Sequence, residues 1–176
     1  TQALIKCKSV TPNDDGALQL IEDHLNKLGF KCTRLLFKEN GFKDVDNLFA
    51  TIGNSGRHLA FAGHTDVVPV GNENSWKYHP FSAKINNGKM YGWGAEDMKG
   101  NIACFISATD SFIKKYGSNF KGKLSFIITG DEEKEAVNGT IKIMKWTKEK
   151  KINFDHCIVG EPTSNKVVGD KVKIGR

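Results

Sequence analysis

The chain has 176 residues and a mass of 19.5 kDa, and 39% of the residues are hydrophobic, which suits one domain with a continuous core. Its 26 Lys and Arg outnumber its 20 Asp and Glu, so an anionic partner such as nucleic acid has to be considered. Many of the lysines lie in KIMKWTKEKK, residues 142–151, a pattern that favours one solvated helix face, and no nucleic-acid-binding motif accompanies it. We therefore expect no nucleic-acid partner.

The spacing of the cysteines indicates the cellular compartment of the protein. Cys7, Cys32, Cys104 and Cys157 are scattered and form no CxxC pair, so the sequence indicates neither a zinc knuckle nor a disulfide scaffold. No apolar run approaches the roughly 18 residues of a membrane span, and no basic-then-apolar leader opens the chain. We expect a cytoplasmic protein without a membrane partner, and the start at Thr1 instead of Met suggests trimming.

Helical and strand patterns alternate along the chain. Residues 11–30 predict a helix, because Pro-Asn-Asp gives a capping signal, Leu18, Ile21 and Leu25 follow helical spacing, and Gly29 ends the pattern. Further patterns predict strands at residues 31–37, 48–53, 58–63, 123–130 and 154–160, and helices at residues 98–116 and 138–150. The segment between residues 64 and 97 shows no regular pattern. This alternation predicts one α/β domain whose sheet is covered on both faces.

Polar side chains follow three of the predicted strands directly. His64 and Asp66 come after LAFAG, Asp131, Glu132 and Glu133 after SFIITG, and Glu161 after HCIVG. In open α/β sheets, sites form at the carboxyl ends of strands, where loops converge over a rigid floor. Asp97, in MYGWGAEDMKG, precedes a predicted helix, where backbone N–H groups and the helix dipole favour a carboxylate.

These residue types together indicate a metal site. Asp66 lies two residues after His64 on the same side of an extended backbone, so it can fix the tautomer of a histidine ligand. The side chains of Glu132 and Glu133 diverge, so that one can face a metal and the other a metal-bound water. Each residue also has a structural interpretation: His64 as a core histidine, Asp97 as an N-cap and Glu161 as part of a turn. Nitrogen and oxygen ligands suit two zinc, cobalt or manganese ions bridged by Asp97.

Four motifs carry a family resemblance. In order and spacing, GHTDVVP, GAEDMKG, GDEE and GEPT resemble the M20 family of zinc aminoacylases and peptidases, and the resemblance extends over essentially the whole chain, including SVTPND near its start. It implies a zinc-peptidase-like catalytic domain, an α/β fold with a central mixed β-sheet flanked by helices. Residues 1–176 correspond to the N-terminal portion of that domain, so we expect the lid or dimerisation domain and the returning C-terminal catalytic segment to be absent.

The resemblance also implies a role for each site residue. His64, Asp97 and Glu161 match the ligands of one zinc ion, Asp97 and Glu133 match two ligands of a second, Asp66 matches the residue that orients the histidine, and Glu132 matches the general base. A cis peptide bond is expected between Asp97 and Met98. Arg176 matches an arginine associated with binding the carboxylates of the substrate.

The implied activity is hydrolysis of an amide. AVNGT and VVGDKVKIGR resemble the family members that release succinate from N-succinyl-L,L-diaminopimelate, a step in lysine and diaminopimelate biosynthesis. Three alternatives stay open: another M20 deacylase such as acetylornithine deacetylase, a carboxypeptidase of the family, and a non-catalytic metal-binding or partner-binding domain. Trp93 and Glu96 stand where such sequences more often have Arg and Ala, which leaves the fine substrate specificity open.

The family pattern further implies parts that these residues do not supply. In the family, the returning segment provides a histidine ligand of the second zinc ion, and the lid provides a histidine to the partner subunit. His24, His58, His79 and His156 sit in no matching motif and are interpreted as surface or packing residues. We therefore expect the 176 residues alone to hold one zinc ion well, to turn over substrate weakly or not at all, and to be monomeric although the family forms homodimers.

Overall fold

The computed structural model describes residues 1–163 and 166–167 and contains a central sheet. The strands are β1 (Lys31–Phe37), β2 (Val45–Ile52), β3 (His58–His64), β4 (Lys84–Asn86), β5 (Lys89–Tyr91), β6 (Lys123–Thr129) and β7 (His156–Val159), and the helices are α1 (Gln2–Lys6), α2 (Ala17–Lys27), α3 (Gly100–Tyr116) and α4 (Thr140–Glu149). Five of the strands form one sheet in the order β1-β2-β6-β3-β7, and β4 and β5 form a separate hairpin.

The main sheet is mixed. Strand β2 pairs antiparallel with β1 and with β6, whereas β3 pairs parallel with both β6 and β7. The prediction of a mixed α/β sheet is therefore confirmed. Because β3, β6 and β7 run in the same direction, their carboxyl ends lie at the same edge of the sheet.

Helices cover both faces of this sheet, as predicted. On one face, Leu18 of α2 and Ile102 of α3 belong to the same buried cluster as Phe61 and Phe126. On the other face, Ile143 of α4 belongs to a cluster with Phe49 and Ile127, and the ring of Trp146 packs 5.3 Å from the ring of Phe49. Adjacent strand residues thus point to opposite faces, which is the side-chain period of a β-strand.

Local chemistry explains the bounds of α2. The Asp14 carboxylate accepts hydrogen bonds from the main-chain N–H of Leu18 at 2.9 Å and of Gly16 at 3.1 Å, which satisfies donors at the start of the helix. Gly29 has a φ of +85°, a conformation that suits glycine after a helix end. The predicted helix is confirmed, and it begins after the capping residues.

Other elements differ from the prediction in detail. Strand β2 begins at Val45, three residues before the predicted start, because Val45 and Asn47 pair with Phe37 and Leu35 of β1. Helix α3 begins at Gly100 and not at Met98, since Asp97 and Met98 have non-helical backbone angles. The segment 64–97, where no regular pattern was found, contains the hairpin β4–β5, and the short α1 was not predicted either.

Helix length also bears on membrane insertion. The longest helix, α3, has 17 residues, and its last turn carries Lys114 and Lys115. Within residues 1–163 and 166–167, no helix combines the length and the apolar character needed to cross a bilayer.

His58 is a packing residue at the start of β3, as interpreted from the sequence. Its ring is buried, with Nδ1 2.8 Å from the Asn153 carbonyl oxygen and Nε2 2.7 Å from Ser125 Oγ. Burial, together with the charge of Lys123, lowers the pKa of His58 below its ordinary value, although Asn153 and Asp155 favour the charged form. The folded state therefore holds this imidazole neutral more firmly than the unfolded chain does.

We predict that His58 makes the protein less stable at acidic pH. The unfolded chain takes up a proton on His58 near pH 6.5, whereas the folded chain does so only at lower pH, so the free energy of unfolding falls as pH drops below about 6.5. One proton limits this slope to about 1.4 kcal/mol per pH unit. Urea unfolding between pH 5 and 8 should show a smaller slope for His58→Asn. An unchanged slope in His58→Asn would contradict the prediction.

Candidate metal centre

The shared edge of β3, β6 and β7 brings the predicted site residues together. His64 pairs with Thr129 across the parallel strands, and the Gly160 N–H donates to the Ala62 carbonyl at 2.9 Å, which aligns the three strand ends. His64 Nε2 lies 3.0 Å from Asp97 Oδ1, 3.2 Å from Glu161 Oε1 and 3.8 Å from Glu132 Oε2. Residues up to 97 positions apart in sequence thus meet around one imidazole nitrogen.

The orientation of His64 is fixed by the chain that follows it. The ring is 1% exposed, and Nδ1 lies 2.9 Å from the main-chain carbonyl oxygen of Asp66 and 3.5 Å from its Oδ1. An Nδ1–H that donates to these oxygens leaves Nε2 as the ring atom that faces the carboxylates and can bind a metal ion once it has lost its proton. The role predicted for Asp66 therefore has a geometric basis, with the main-chain oxygen as the closer contact.

The Asp66 carboxylate has a second set of contacts. Its two oxygens accept from the Glu132 N–H at 3.1 and 3.2 Å, and one of them accepts from the Glu133 N–H at 2.9 Å. The side chain is 1% exposed, so these amides supply the hydrogen bonds that a buried carboxylate requires. Asp66 thereby attaches the loop after β6 to the end of β3.

The turn before α3 presents Asp97. The Asp97–Met98 peptide bond is cis, which confirms the expectation from the family resemblance. Met98 is fully buried under the site, where its Sδ lies 3.3 Å from the His64 main-chain N. A Cβ atom on Gly63 or Gly160 would approach the methyl carbon of Met98 to 2.6 or 2.5 Å. Glycine is therefore required at the next-to-last position of β3 and directly after β7, because Met98 occupies the adjoining space.

The donor set fits metal ions. Two groups of three residues have ligand atoms that all lie within 4.8 Å of one another, and these groups are His64, Glu132 and Glu161, and His64, Asp97 and Glu133. Every predicted ligand among the described residues belongs to one of them, and so does Glu132, which was predicted as the general base. Imidazole nitrogen and carboxylate oxygen are the ligands of hydrolytic zinc sites. The division of the residues between two ions remains a prediction.

The electrostatics of the cluster favour a bound cation. Burial disfavours the charged form of His64, but its contacts with Asp66 and Asp97 outweigh burial and raise the pKa of His64 to about 11. Burial raises the pKa of Glu133 as well; the charge of His64 opposes this, whereas the charges of Asp97 and Glu132 add to it. A cation that binds Nε2 must displace the proton of His64, because a histidine ligand is neutral.

A cleft of about 820 Å³ opens beside the candidate metal ligands. Asp97 and Glu133 line it, and its walls include Trp76, Tyr78, Tyr91, Trp93 and Glu96. The walls are held in place: the Trp93 indole N–H donates to the Val68 carbonyl at 2.6 Å, and the rings of Tyr78 and Tyr91 lie 5.0 Å apart. A small substrate can therefore reach the carboxylates through a preformed opening.

Asp131 and Arg176 were also candidates from the sequence. Asp131 is buried and accepts from the N–H groups of Ala136 and Asn138, so it shapes the loop that carries Glu132. Arg176, predicted to bind the substrate, lies outside the described residues. Lys99, two residues after Asp97, was not predicted as a residue of the site, yet it is fully buried. Its position inside the GAEDMKG motif was the signal in the sequence that could have identified it.

Comparison with known proteins identifies the class. The model of peptidase family M20/M25/M40 matches residues 60–175, and the chain belongs to this family. Among curated proteins, the chain is 53% identical over 175 residues to the succinyl-diaminopimelate desuccinylase of Beijerinckia indica subsp. indica, covering 99% of this chain and 45% of that protein. The desuccinylase of Bradyrhizobium sp. (strain ORS 278) is 51% identical over 176 residues, with coverage of 100% and 46%. The chain thus spans about half the length of these relatives.

Solved structures share the fold. Human carnosine dipeptidase 1 superposes with a TM-score of 0.81 at 20% identity, over 93% of this chain and 38% of that one, which shows the fold alone. An M20 family metallo-carboxypeptidase from Sulfolobus solfataricus superposes with a TM-score of 0.75 at 25% identity, over 92% of this chain and 36% of that one. The arrangement of strands and helices is therefore that of M20 catalytic domains.

We predict that Asp66→Asn weakens both the fold and metal binding. The amide of Asn keeps one oxygen that can accept from Glu132 and Glu133, but it lacks the negative charge and places an NH₂ group where Oδ1 accepts from Glu132 and faces His64 Nδ1. The free energy of unfolding should therefore fall by about 1–3 kcal/mol. The altered contact with His64 should weaken zinc affinity by roughly 10- to 100-fold. Urea unfolding and competition against a zinc chelator measure the two effects.

A matched variant separates stability from the site. Asp155→Asn removes a carboxylate that accepts from the His58 N–H at 2.7 Å, at the opposite end of β3. It should lower stability while leaving zinc affinity at the wild-type value. Equal zinc affinities for Asp66→Asn and the wild type would show that Asp66 does not organise the centre.

Proposed function

We propose that the chain forms the metal-binding part of a succinyl-diaminopimelate desuccinylase. The reaction hydrolyses the amide of N-succinyl-L,L-diaminopimelate to succinate and L,L-diaminopimelate, in lysine and diaminopimelate biosynthesis. The observation that carries the proposal is the grouping of His64 with Asp97, Glu132, Glu133 and Glu161 beside an open cleft. The high identity to relatives with this name supports the choice of substrate over that of other family members.

The proposed cofactor is a pair of zinc ions, with cobalt as the alternative metal. His64, Asp97 and Glu161 would hold one ion, and Asp97 and Glu133 would contribute to the other. When bound, such ions polarise the amide carbonyl and lower the pKa of a bound water to roughly 7. We assign residues 1–176 to the N-terminal portion of the catalytic domain, because they cover about half of the length of the relatives. The second ion would take a further ligand from the rest of that domain.

Glu132 is the proposed general base. Its side chain is 39% exposed and its Oε2 lies 3.8 Å from His64 Nε2, so it reaches both solvent and the centre. The Asp66 carboxylate accepts from the main-chain N–H of Glu132 and so fixes the backbone from which the Glu132 side chain extends. In the reaction, this carboxylate takes a proton from the attacking water and delivers it to the leaving amine.

The substrate and its surroundings complete the proposal. Arg176 would bind a substrate carboxylate, and a homodimer would be the assembly of the full-length protein, whereas the 176 residues alone would be monomeric. Cys7, Cys32, Cys104 and Cys157 are free thiols, which agrees with a cytoplasmic location because reducing compartments preserve thiols.

We predict that Glu132→Gln abolishes most of the hydrolysis without removing the metal. The amide of Gln cannot accept the proton, so kcat should fall by roughly 10²- to 10⁴-fold while zinc content changes little. Amine release from N-succinyl-L,L-diaminopimelate, measured with the full-length protein that carries this sequence, tests this. Glu135→Gln is the matched control, since Glu135 lies on the same loop with its carboxylate exposed to solvent.

The same assay separates the alternatives. Acetylornithine or a dipeptide hydrolysed faster than the succinyl substrate would replace the proposed activity by another M20 activity. Zinc binding without hydrolysis of any of these amides would leave a metal-binding domain. Wild-type turnover in Glu132→Gln would rule out this residue as the base.

A further inference from the structure

Lys99 is a buried charge that the proposed reaction does not use. It is fully buried and is, with Phe126, among the largest of the side chains that the structure describes as less than 2% exposed. Its ammonium donates to the main-chain carbonyl oxygens of Cys7 at 2.7 Å and Lys8 at 3.4 Å. Burying an ammonium costs several kcal/mol unless hydrogen bonds compensate for the lost water. An aliphatic side chain could fill this space, so the directed hydrogen bonds call for an explanation.

The carbonyl groups that Lys99 binds belong to a segment that we call the strap, residues 7–11. Ser9 Oγ donates to the Thr65 carbonyl at 2.7 Å, and the Ser9 carbonyl accepts from the Val67 N–H at 3.0 Å. The Thr11 N–H donates in turn to the Val67 carbonyl at 3.0 Å. The strap therefore binds the main chain immediately before and after Asp66.

Lys99 also belongs to the turn that presents Asp97. Its main-chain N–H donates to the Gly94 carbonyl at 2.9 Å and closes this turn. A Cβ atom on Gly94 would lie 2.8 Å from Val67 Cγ1 and 3.2 Å from Lys99 Cδ, so the turn packs tightly between these side chains. The Asp97 turn and the Asp66 turn are thus connected to each other through the lysine and the strap.

We propose that Lys99 is a positioning residue of the metal centre. By tying the Asp97 turn to the strap, it sets the position of the Asp97 carboxylate against His64 Nε2, 3.0 Å away. Loss of the ammonium leaves the Cys7 and Lys8 carbonyls without this donor and releases the turn from the strap. The effect of Lys99 on metal binding rests on the proposed function, whereas the effect of Lys99 on the contact between His64 and Asp97 does not.

The test compares Lys99→Met with Lys114→Met. Methionine keeps the apolar stem of Lys99 and removes the ammonium. Lys114 is an exposed lysine near the end of α3, the helix that follows Lys99, and it pairs with Asp110 at 2.6 Å. In the metal-free protein, the ¹H and ¹⁵N resonances of the His64 ring should shift in Lys99→Met and stay unchanged in Lys114→Met. Zinc affinity should fall roughly 10- to 100-fold in Lys99→Met only, and the visible spectrum of the cobalt-loaded protein should change with it.

A second variant, Ser9→Ala, tests the proposal if Lys99→Met does not fold. Ser9→Ala removes the Ser9–Thr65 hydrogen bond and releases the strap from the other side, so it should shift the same His64 resonances. Unchanged His64 resonances in whichever of these two variants folds would overturn the proposal. Equal shifts in Lys114→Met would also overturn it, because they would show a general effect of losing a lysine. A wild-type chain that binds no zinc would contradict the proposed metal centre, while the His64 resonances would still decide the role of Lys99.

Discussion

The buried carboxylate of Asp66 is the constraint on which the site depends. A charge that is 1% exposed must find hydrogen bonds inside the protein, and it finds them in the amides of Glu132 and Glu133. These amides belong to the loop after β6, whereas Asp66 follows β3. The requirement to satisfy one carboxylate thus fixes two strand ends against each other, and both glutamates extend from the same anchored backbone.

Around this anchor, the protein brings several carboxylates together. Asp97, Glu132, Glu133 and Glu161 place ligand atoms around His64, which is the only basic residue in the two donor groups. Crowding of this kind destabilises the folded chain by itself, and a divalent cation relieves it. The arrangement is therefore explained by binding of a cation better than by packing.

The site was predictable where local patterns sufficed. Parallel strands align their carboxyl ends, so His64, the Glu132–Glu133 pair and Glu161 could be grouped from strand patterns alone, whereas the cis bond after Asp97 followed only from family resemblance. The contact of Lys99 with Cys7 was not predictable, because it joins residues 92 positions apart through a main-chain carbonyl that no side-chain pattern encodes. The hairpin β4–β5 was missed because its strands have only three residues each, too few for a period to show.

The aromatic walls of the cleft have an optical consequence. Of the three tryptophans in the sequence, Trp76 and Trp93 pack 5.3 Å apart in the cleft beside Asp97, while Trp146 of α4 packs against Phe49. A paramagnetic ion such as Co²⁺ at the carboxylates would quench the emission of the cleft pair. The protein therefore carries its own fluorescent reporter of the site, and occupancy can be followed without a label.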